Sequence, residues 1–339
     1  MMTRLLTILA VAAHVNAIGA QAPTVVMTPA IAPPGSIVRF AVRVASSGDD
    51  AIVAIHGSLA GEPLRFLHAD SGRYHAIGAV PVDASDSVPA LVTVERRSGA
   101  IDSIPVTVVV PRSEPPKEAA LAVDPRFTRP LDATTEARIE RENELAREVG
   151  RRAHVSPPMW IVPFQKPRDA RVTSRFGTGR VFNGTMASRH LGVDYAGAPG
   201  APVRAANRGV FALVDTFFLA GRVIYLDHGG GVVTGYFHLT KPLVATGDTV
   251  ARGQRIGTVG ATGRVTGPHL HWSARYGALT VNPLDLIGLD PRLYGASPSP
   301  FPSARERGLR SIRTGTATRT SCARGTAKLH VYRRQICVG

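Results

Sequence analysis

The sequence predicts an all-β protein with two β domains that are joined by a linker and one helix. Short apolar runs alternate with polar residues across positions 23–112, and a second strand-rich stretch covers about 160–286. Between the runs lie many turn-forming residues, with 34 glycines and 26 prolines in 339 residues. The apolar content of 44% is sufficient for packed cores, and a chain of this length favours two domains.

The first 22 residues have the pattern of an export signal. Arg4 supplies a positive charge before the apolar run Leu5–Ala13. Small residues then offer cleavage sites after Ala17, Ala20 or Ala22. The apolar run is too short for a stable anchor, and no stretch of about 20 apolar residues follows it. We therefore expect a protein of the periplasm, the cell envelope or the exterior, with no transmembrane segment after signal removal.

Residues 23–112 are predicted to form an immunoglobulin-like β-sandwich module. Clusters of glycine, proline, aspartate and serine separate its alternating runs at strand-and-turn spacing. The runs are Ile37–Val42, Ala51–Ile55, Ala90–Val94 and Ile104–Val110. No concentration of histidines or carboxylates accompanies them, so we expect a spacer or a binding module.

The stretch 113–159 is predicted to be a linker that contains one helix. Residues 111–130 are rich in proline and charge, which is typical of a linker. Residues 137–152 carry mixed charges and a sparse apolar stripe of Ile139, Leu145 and Val149. Thr134 or Thr135 can cap the start of this helix. Its polar faces indicate a helix that lies on the surface of a domain.

Residues 291–339 are predicted to form a basic, flexible tail. From position 303 onward nine basic residues occur with one acid, which accounts for about half of the formal net charge of +15. Such a tail favours contact with anionic envelope polymers, and no motif for a specific nucleic-acid partner accompanies the charge. Cys322 and Cys337 lie in this tail and can close one small loop in an oxidising compartment; two free thiols are the alternative.

The stretch 160–290 is predicted to be one antiparallel β domain, and it carries most of the groups that can do chemistry. Five of the eleven histidines lie here, at positions 190, 228, 238, 269 and 271. The predicted strands are Val210–Val214, Arg222–Asp227, Val232–Phe237, Arg255–Val259 and His269–Tyr276.

Two short motifs carry side chains that bind metals. In the first, His190 and Asp194 would stand about 13 Å apart on a regular strand, so the chain must bend for both to reach one ion. Gly192 permits that bend, but the pattern alone does not define a metal site. In the second motif, His269 and His271 project from the same face of a strand. A pair of surface histidines is the alternative interpretation. His238 lies at the end of an apolar strand, where a lone histidine is more often structural. A catalytic role for it is indicated only together with these two motifs.

Together these residues resemble the lysostaphin-type, or LytM-like, zinc endopeptidases of peptidoglycan. The resemblance covers about residues 160–286. It includes further short blocks in the same order, namely Ser174–Gly177, Asp227–Gly229 and Gly260–Gly263.

The resemblance implies that His190, Asp194 and His271 bind Zn²⁺ and that His238 and His269 are catalytic. Three protein ligands leave a further position at the ion, as in catalytic zinc sites. His228 is expected to be a structural residue. Arg189 departs from the family pattern, which more often has an apolar residue or proline there, and this departure affects the rim of the cleft.

The implied function is that of an exported zinc endopeptidase that hydrolyses peptide bonds of peptidoglycan stems or cross-links. The alternative is a catalytically silent LytM-like protein that binds the wall or activates an amidase. Such proteins usually lack some ligands, and none is missing here. Other hydrolase and nucleotide motifs are absent from the sequence, which has no HExxH, no GxSxG and no GxxxxGK[ST].

Overall fold

The computed structural model describes residues 22–45, 51–70, 72–112, 120–184 and 186–294. The predicted signal sequence up to residue 21, the basic tail beyond residue 294 and both cysteines lie outside the described residues. The predictions for those segments stay predictions. Among the described residues, no helix combines the length and the apolar character that crossing a membrane requires.

The N-terminal strands form a β-sandwich. The strands are β1 (Thr24–Thr28), β2 (Ile37–Arg43), β3 (Ile52–Leu59), β4 (Glu62–Pro63), β5 (Leu67–Asp70), β6 (Arg73–Ala79), β7 (Ser87–Arg96) and β8 (Ile101–Val109). One antiparallel sheet has the order β1-β2-β6-β5 and the other has the order β4-β3-β7-β8. Inward side chains of both sheets, such as Phe40 on β2 and Val92 on β7, form one buried core. This strand order supports the immunoglobulin-like assignment, which stays a prediction.

The second half of the chain forms a larger antiparallel sheet of ten strands within the described residues, so the fold class is all-β as predicted. The elements are β9 (Val172–Ser174), β10 (Gly179–Phe182), β11 (Met186–Arg189), β12 (Val193–Ala196), β13 (Pro202–Arg204), β14 (Gly209–Phe217), β15 (Gly221–Asp227), β16 (Val232–Pro242), β17 (Thr249–Val250), β18 (Arg255–Val259), β19 (His269–Tyr276), β20 (Leu279–Val281) and a short helix (Leu284–Ile287). The main path of the large sheet runs β17-β14-β15-β16-β19-β12-β9, with β13, β18 and β20 attached, and β10 and β11 form a separate hairpin.

Strand β19 shows how the large sheet separates its two faces. Leu270, Trp272 and Ala274 are buried in the main hydrophobic core. Because side chains alternate along a strand, His269 and His271 project from the opposite face. The sequence therefore gives the sheet one apolar face for the core and one face with groups that can do chemistry.

The helix, α1 (Ala133–Ala153), lies on that second face. Asp132 caps it by accepting a hydrogen bond of 2.8 Å from the Thr135 amide, so the prediction of a threonine cap is wrong. A carboxylate competes well for this place because the helix N-terminus carries partial positive charge. Leu145 of the predicted stripe is 46% exposed. The side chains that pack instead on β14, β15 and β16 are those of Ala146, Val149 and Ala153.

The sandwich is docked on the large sheet and is not a free spacer. The Glu62 carboxylate, 9% exposed, accepts hydrogen bonds from the Ala278 amide at 2.8 Å and from His154 Nε2 at 2.9 Å. The Tyr276 hydroxyl donates to the Pro63 carbonyl at 2.7 Å. Satisfying a buried carboxylate in this way fixes the relative placement of β4 and β19.

Two segments predicted to be linker and tail also pack on the large domain where they are described. In the linker, Leu121 pairs with β10, and Phe127, 2% exposed, belongs to a small apolar cluster with Phe182. In the predicted tail, residues 291–294 form a 3₁₀ turn, and Leu293 packs against the main core. The apolar side chains explain both attachments, because burying them removes apolar surface from water.

Candidate metal centre

The sheet brings the two predicted metal motifs side by side. Asp194 on β12 lies opposite His271 on β19 in the antiparallel register. His190 follows β11, and the chain bends over residues 191–192 before β12 begins. This bend returns the His190 side chain to Asp194, as the sequence required.

Three donor atoms converge at this place. Asp194 Oδ1 lies 3.0 Å from His190 Nε2 and 2.8 Å from His271 Nδ1, and the two nitrogens are 3.0 Å apart. His190 and Asp194 are 2% and 5% exposed. Two imidazole nitrogens and a carboxylate oxygen directed at one point repel each other unless a cation lies between them. This group of three residues can hold a metal ion.

Contacts at Nδ1, the ring nitrogen that faces away from the donor cluster, fix the orientation of His190. Its Nδ1 donates to the Arg175 carbonyl at 2.8 Å, and the Ser174 hydroxyl lies 3.1 Å from the same nitrogen. With Nδ1 protonated, the lone pair of the neutral ring is on Nε2 and points at the donor cluster. The sequence block Ser174–Gly177 thus has a physical role in aiming His190.

Gly192 is required by close packing. A Cβ atom at this position would lie 2.4 Å from His271 Nε2 and 2.6 Å from the Trp272 carbonyl oxygen. Real Cβ atoms do not approach so closely, so any side chain would displace the His271 ring. The glycine in this motif therefore serves His271 as well as the bend between His190 and Asp194.

Arg180 holds the other oxygen of Asp194. Its Nη2 donates to Asp194 Oδ2 at 2.6 Å and to Ser174 Oγ at 2.8 Å. Burial alone would raise the pKa of Asp194, but the close contacts of its carboxylate with His190 and His271 hold that pKa well below its ordinary value. Asp194 is therefore an anion at any pH near neutrality, as a metal ligand must be.

His271 is held by burial and stacking. Its ring stacks on Phe237 with centroids 5.2 Å apart and an interplanar angle of 13°. Burial lowers the pKa of His271 to about 4, against the opposing effect of Asp194. The neutral ring that this favours is the form that binds metals.

His238 and His269 flank the cluster and are oriented in the same way as each other. His238 Nδ1 donates to the Thr262 carbonyl and His269 Nδ1 donates to the Gly267 carbonyl, each at 2.8 Å. Their ring centroids are 5.0 Å apart, and His269 Nε2 lies 3.7 Å from Asp194 Oδ1. In a neutral ring with Nδ1 protonated, Nε2 is the nitrogen that can accept a proton.

His238 carries two signs of a specialised residue. Its backbone φ of 61° is in the left-handed region, which non-glycine residues adopt rarely. Burial, followed by the charges of His269 and His271, holds its pKa well below the ordinary value. The ring is therefore neutral at neutral pH.

The structure does not bring His228 into this group. His228 is fully buried at the end of β15, where Nδ1 donates to the Arg208 carbonyl at 2.7 Å and Nε2 lies 2.8 Å from the Thr234 hydroxyl. Burial lowers its pKa to about 4. Both ring nitrogens have protein partners, which agrees with the expected structural role.

Two of the cavities that open beside the donor cluster have lining residues in common. The first, of about 380 Å³, is lined by Asp194 and His269, and the second, of about 230 Å³, is lined by His238 and His271. Arg180 and Arg264 line both. Arg189 lines the second cavity and donates to the Val82 carbonyl of the sandwich, so it joins the cleft rim to the N-terminal module.

Sequence reasoning missed Arg180 and Arg264. Neither lies in a motif with the histidines, and arginines are common throughout this basic chain. Arg180 reaches Asp194 because the β10–β11 hairpin folds over β12, and Arg264 because the loop before β19 returns to the cleft. No spacing rule predicts such contacts, since they depend on how separate loops meet.

Comparisons with known proteins fit this geometry. A family model described as peptidase family M23 matches residues 188–283. The peptidoglycan DD-endopeptidase ShyC of Vibrio cholerae is 40% identical over 114 residues, covering 33% of this chain and 26% of the relative. The DD-carboxypeptidase/endopeptidase Mpg of Neisseria meningitidis is 39% identical over 118 residues, covering 35% and 27%. The chain thus spans about a quarter of the length of these curated relatives.

The likeness to one solved structure extends beyond the site. A peptidase M23 crystal structure from Pseudomonas aeruginosa matches with a TM-score of 0.56 and 26% identity, covering 76% of this chain and 95% of that chain. A match of this extent includes more than the large sheet. The predicted resemblance is confirmed for the segment that contains all five site residues, and residues 188–283 of this chain form a peptidase family M23 domain.

Proposed function

We propose that this protein is an exported zinc endopeptidase that hydrolyses peptide bonds of peptidoglycan stems or cross-links. The observation that carries the proposal is the convergence of three donor atoms, from His190, Asp194 and His271, between two further oriented histidines. The names of the relatives ShyC and Mpg support peptidoglycan as the substrate and DD-peptide bonds as the bonds cut.

His190, Asp194 and His271 would hold the zinc ion. Imidazole nitrogen and carboxylate oxygen are ligands that zinc accepts, and three protein ligands are typical of catalytic zinc sites. Arg180 on the free oxygen of Asp194 and the Arg175 carbonyl behind His190 keep these ligands oriented. Zinc bound here supplies a Lewis acid for the scissile carbonyl and for the attacking water.

His238 and His269 would handle the protons of the reaction. The neutral ring of His238 can take a proton from water at neutral pH, because burial lowers its pKa. His269 Nε2 lies on the Asp194 side of the centre, so a protonated ring there can donate to the leaving amine. The carbonyls of Thr262 and Gly267 accept from Nδ1 of the two rings, which leaves Nε2 of each ring for proton transfer.

The test uses purified protein and purified cell walls. We expect about one zinc per chain, release of soluble muropeptides, and loss of that release in chelated protein with recovery when zinc is added back. Mass spectrometry of the fragments then identifies the bond. Equal activity in metal-free protein would contradict the zinc assignment. Wall binding without any fragments would instead favour the catalytically silent wall-binding or amidase-activator protein.

Export and the role of the tail are separate proposals. The sequence pattern of residues 1–22 predicts a processed N-terminus, which Edman or mass analysis of the secreted protein checks. The basic tail is proposed to raise affinity for anionic envelope polymers. Deleting the residues after Pro300 should weaken wall binding at low salt, and salt-insensitive, unchanged binding would contradict the role of the tail.

A further inference from the structure

The two cavities beside the metal centre share a pair of arginines. Arg180 and Arg264 line each of the two cavities. Among the described residues that line these two cavities, Asp194 supplies the one carboxylate. That carboxylate already accepts a hydrogen bond of 2.6 Å from Arg180, and its other oxygen lies 2.8 Å from His271 Nδ1. The cavities are therefore rich in positive charge, before any metal charge is added.

Both guanidinium groups are held in place by the protein. Arg180 donates to Ser174 Oγ at 2.8 Å and to Asp194. The Arg264 guanidinium lies over the Phe182 ring, with Cζ 4.2 Å from the ring centroid, and the Arg264 amide donates to the Leu219 carbonyl at 2.8 Å. Positions fixed in this way reduce the entropy lost when a ligand binds.

The Arg264 guanidinium lies in the positive field of Arg180. Burial, followed by the charge of Arg180, lowers the pKa of Arg264. Two like charges in a partly buried cleft repel each other, and a carboxylate placed beside them would form charge-assisted hydrogen bonds. The planar fork of arginine matches a carboxylate better than lysine does.

The reaction chemistry indicates where that carboxylate belongs. Hydrolysis releases an amine, which takes its proton from the proposed acid His269, so the amine side of the bond lies against His269, in the cleft that His269 shares with His238. Arg264 lines the cavity of each histidine. In a DD-peptide bond of peptidoglycan, the residue that supplies the amide nitrogen keeps its own α-carboxylate free, only two bonds from that nitrogen. This holds both for a terminal D-alanine and for the D-centre of a cross-linked diamino acid.

We infer that Arg264, with Arg180 beside it, binds the free α-carboxylate next to the scissile amide and thereby selects DD-peptide bonds. The assignment rests on the proposed function, and it adds a specificity-determining residue to it. An internal peptide bond has no charge at this position, because its carboxyl group continues into the next amide. A site of this kind would accept both an uncross-linked stem and a cross-link, since the shared group is the carboxylate.

The test compares paired substrates that differ in one charge. The first pair is an N-acylated L-lysyl-D-alanyl-D-alanine as the free acid and as its C-terminal amide. The second is a cross-linked muropeptide dimer whose carboxylate beside the scissile amide is free or amidated. The zinc-loaded full chain is assayed as wild type, Arg264→Gln, Arg264→Lys and Arg171→Gln. Arg171 lines the first cavity and is exposed, so it controls for a general loss of charge.

The expected result is a loss that depends on the substrate carboxylate. Wild type should prefer the free acids, and Arg264→Gln should lower kcat/KM for them by about 10- to 100-fold while leaving the amidated forms nearly unchanged. Arg171→Gln should keep the preference, and all variants should keep their zinc. Loss on the tripeptide pair, on the dimer pair or on both identifies which source of carboxylate the site uses.

Other outcomes overturn the inference. Equal losses on free and amidated substrates would show that Arg264 only supports the structure, and a wild type without preference would contradict the site directly. If Arg264→Gln does not fold, the test uses Arg264→Lys, which should show a reduced preference for the free-acid substrates. An unchanged preference in Arg264→Lys would contradict the inference. If wild type cuts none of the substrates, that result contradicts the proposed function and does not test the carboxylate site. Calorimetric binding of the free and amidated tripeptides, with and without Arg264→Gln, then decides the carboxylate site alone.

Discussion

Two histidines of the large domain, the fully buried His228 and the part-buried His271, differ in what surrounds their nitrogens. Burial lowers the pKa of each to about 4. The Arg208 carbonyl accepts a hydrogen bond from His228 Nδ1, and the Thr234 hydroxyl lies 2.8 Å from His228 Nε2. His271 Nδ1 instead meets a carboxylate oxygen at 2.8 Å and another histidine nitrogen at 3.0 Å.

The difference shows that burial by itself does not identify a metal ligand. A neutral imidazole is fully satisfied by one acceptor and one donor, as at His228. At His271 several acceptor atoms converge, and a cation is the group that satisfies them all. The same fold therefore contains a histidine that stabilises the sheet and a histidine that we propose binds zinc, and four predictions separate these two roles.

The largest expected effect is on His271. His271→Ala removes a proposed ligand, so we expect bound zinc to be lost and wall hydrolysis to fall to background. The matched variant is His228→Gln, which alters a histidine whose pKa burial also lowers to about 4 and which should retain zinc and activity. Zinc per chain, measured by mass spectrometry of the metal, and muropeptide release check both. If His228→Gln loses zinc and His271→Ala keeps it, the roles assigned to the two histidines are wrong.

His238→Ala tests the proposed division between ligands and proton-transfer groups. We expect the variant to keep its zinc while kcat falls by about 10²–10⁴-fold, which is the usual contribution of a general acid or base. The measurement is turnover of a defined muropeptide at saturating concentration. Digestion of walls at the normal rate by this variant would remove His238 from the mechanism.

Gly192→Ala tests how tightly the surroundings hold His271. The added Cβ would lie 2.4 Å from His271 Nε2, so the ring must shift and zinc affinity should fall by about 10- to 100-fold. Competition with a chelator of known affinity measures the change. Gly288→Ala is the matched control, because its Cβ would have its nearest neighbour at 3.7 Å. Equal affinities in the two variants would show that the Gly192 contact relaxes without consequence.

The smallest effect is on stability and concerns His228. Burial lowers the pKa of His228 from its ordinary value of 6.5 to about 4 in the folded state, so the folded state favours the neutral ring. This contribution is complete above about pH 6.5 and is lost as the pH falls towards 4, because the unfolded chain then binds a proton that the folded chain does not. We expect up to about 3 kcal/mol of pH-dependent unfolding free energy from this group.

Denaturant unfolding of wild type and His228→Gln at several pH values measures this contribution. The wild-type free energy of unfolding should decline more steeply than that of the variant between pH 6.5 and 4. Parallel pH profiles would mean that His228 titrates normally in the fold. The slope difference, rather than either absolute value, isolates the one residue from the other groups that titrate in this range.

Elements that depend on local periodicity were predictable from the sequence. Strands His269–Tyr276 and Arg255–Val259 have the predicted bounds, because alternation of apolar and polar residues specifies which side chains face a core. The same alternation predicted that His269 and His271 share a face, and the bend between His190 and Asp194 followed from strand geometry. The α1 helix was predicted as well, but its cap and its packing face were not, since Leu145 is exposed and Ala146 is buried.

By itself, then, the sequence determined the all-β class, the peptidase M23 resemblance and the five residues that gather at the centre. Their chemistry and spacing along two strands are local properties of the chain. Only the tertiary structure decided that Arg180 lies on Asp194, that Arg264 enters the same cleft and that Glu62 joins the sandwich to the large sheet. The physical reason is that these contacts join segments far apart in the chain, so the packing of whole sheets and loops sets them and no local pattern encodes them.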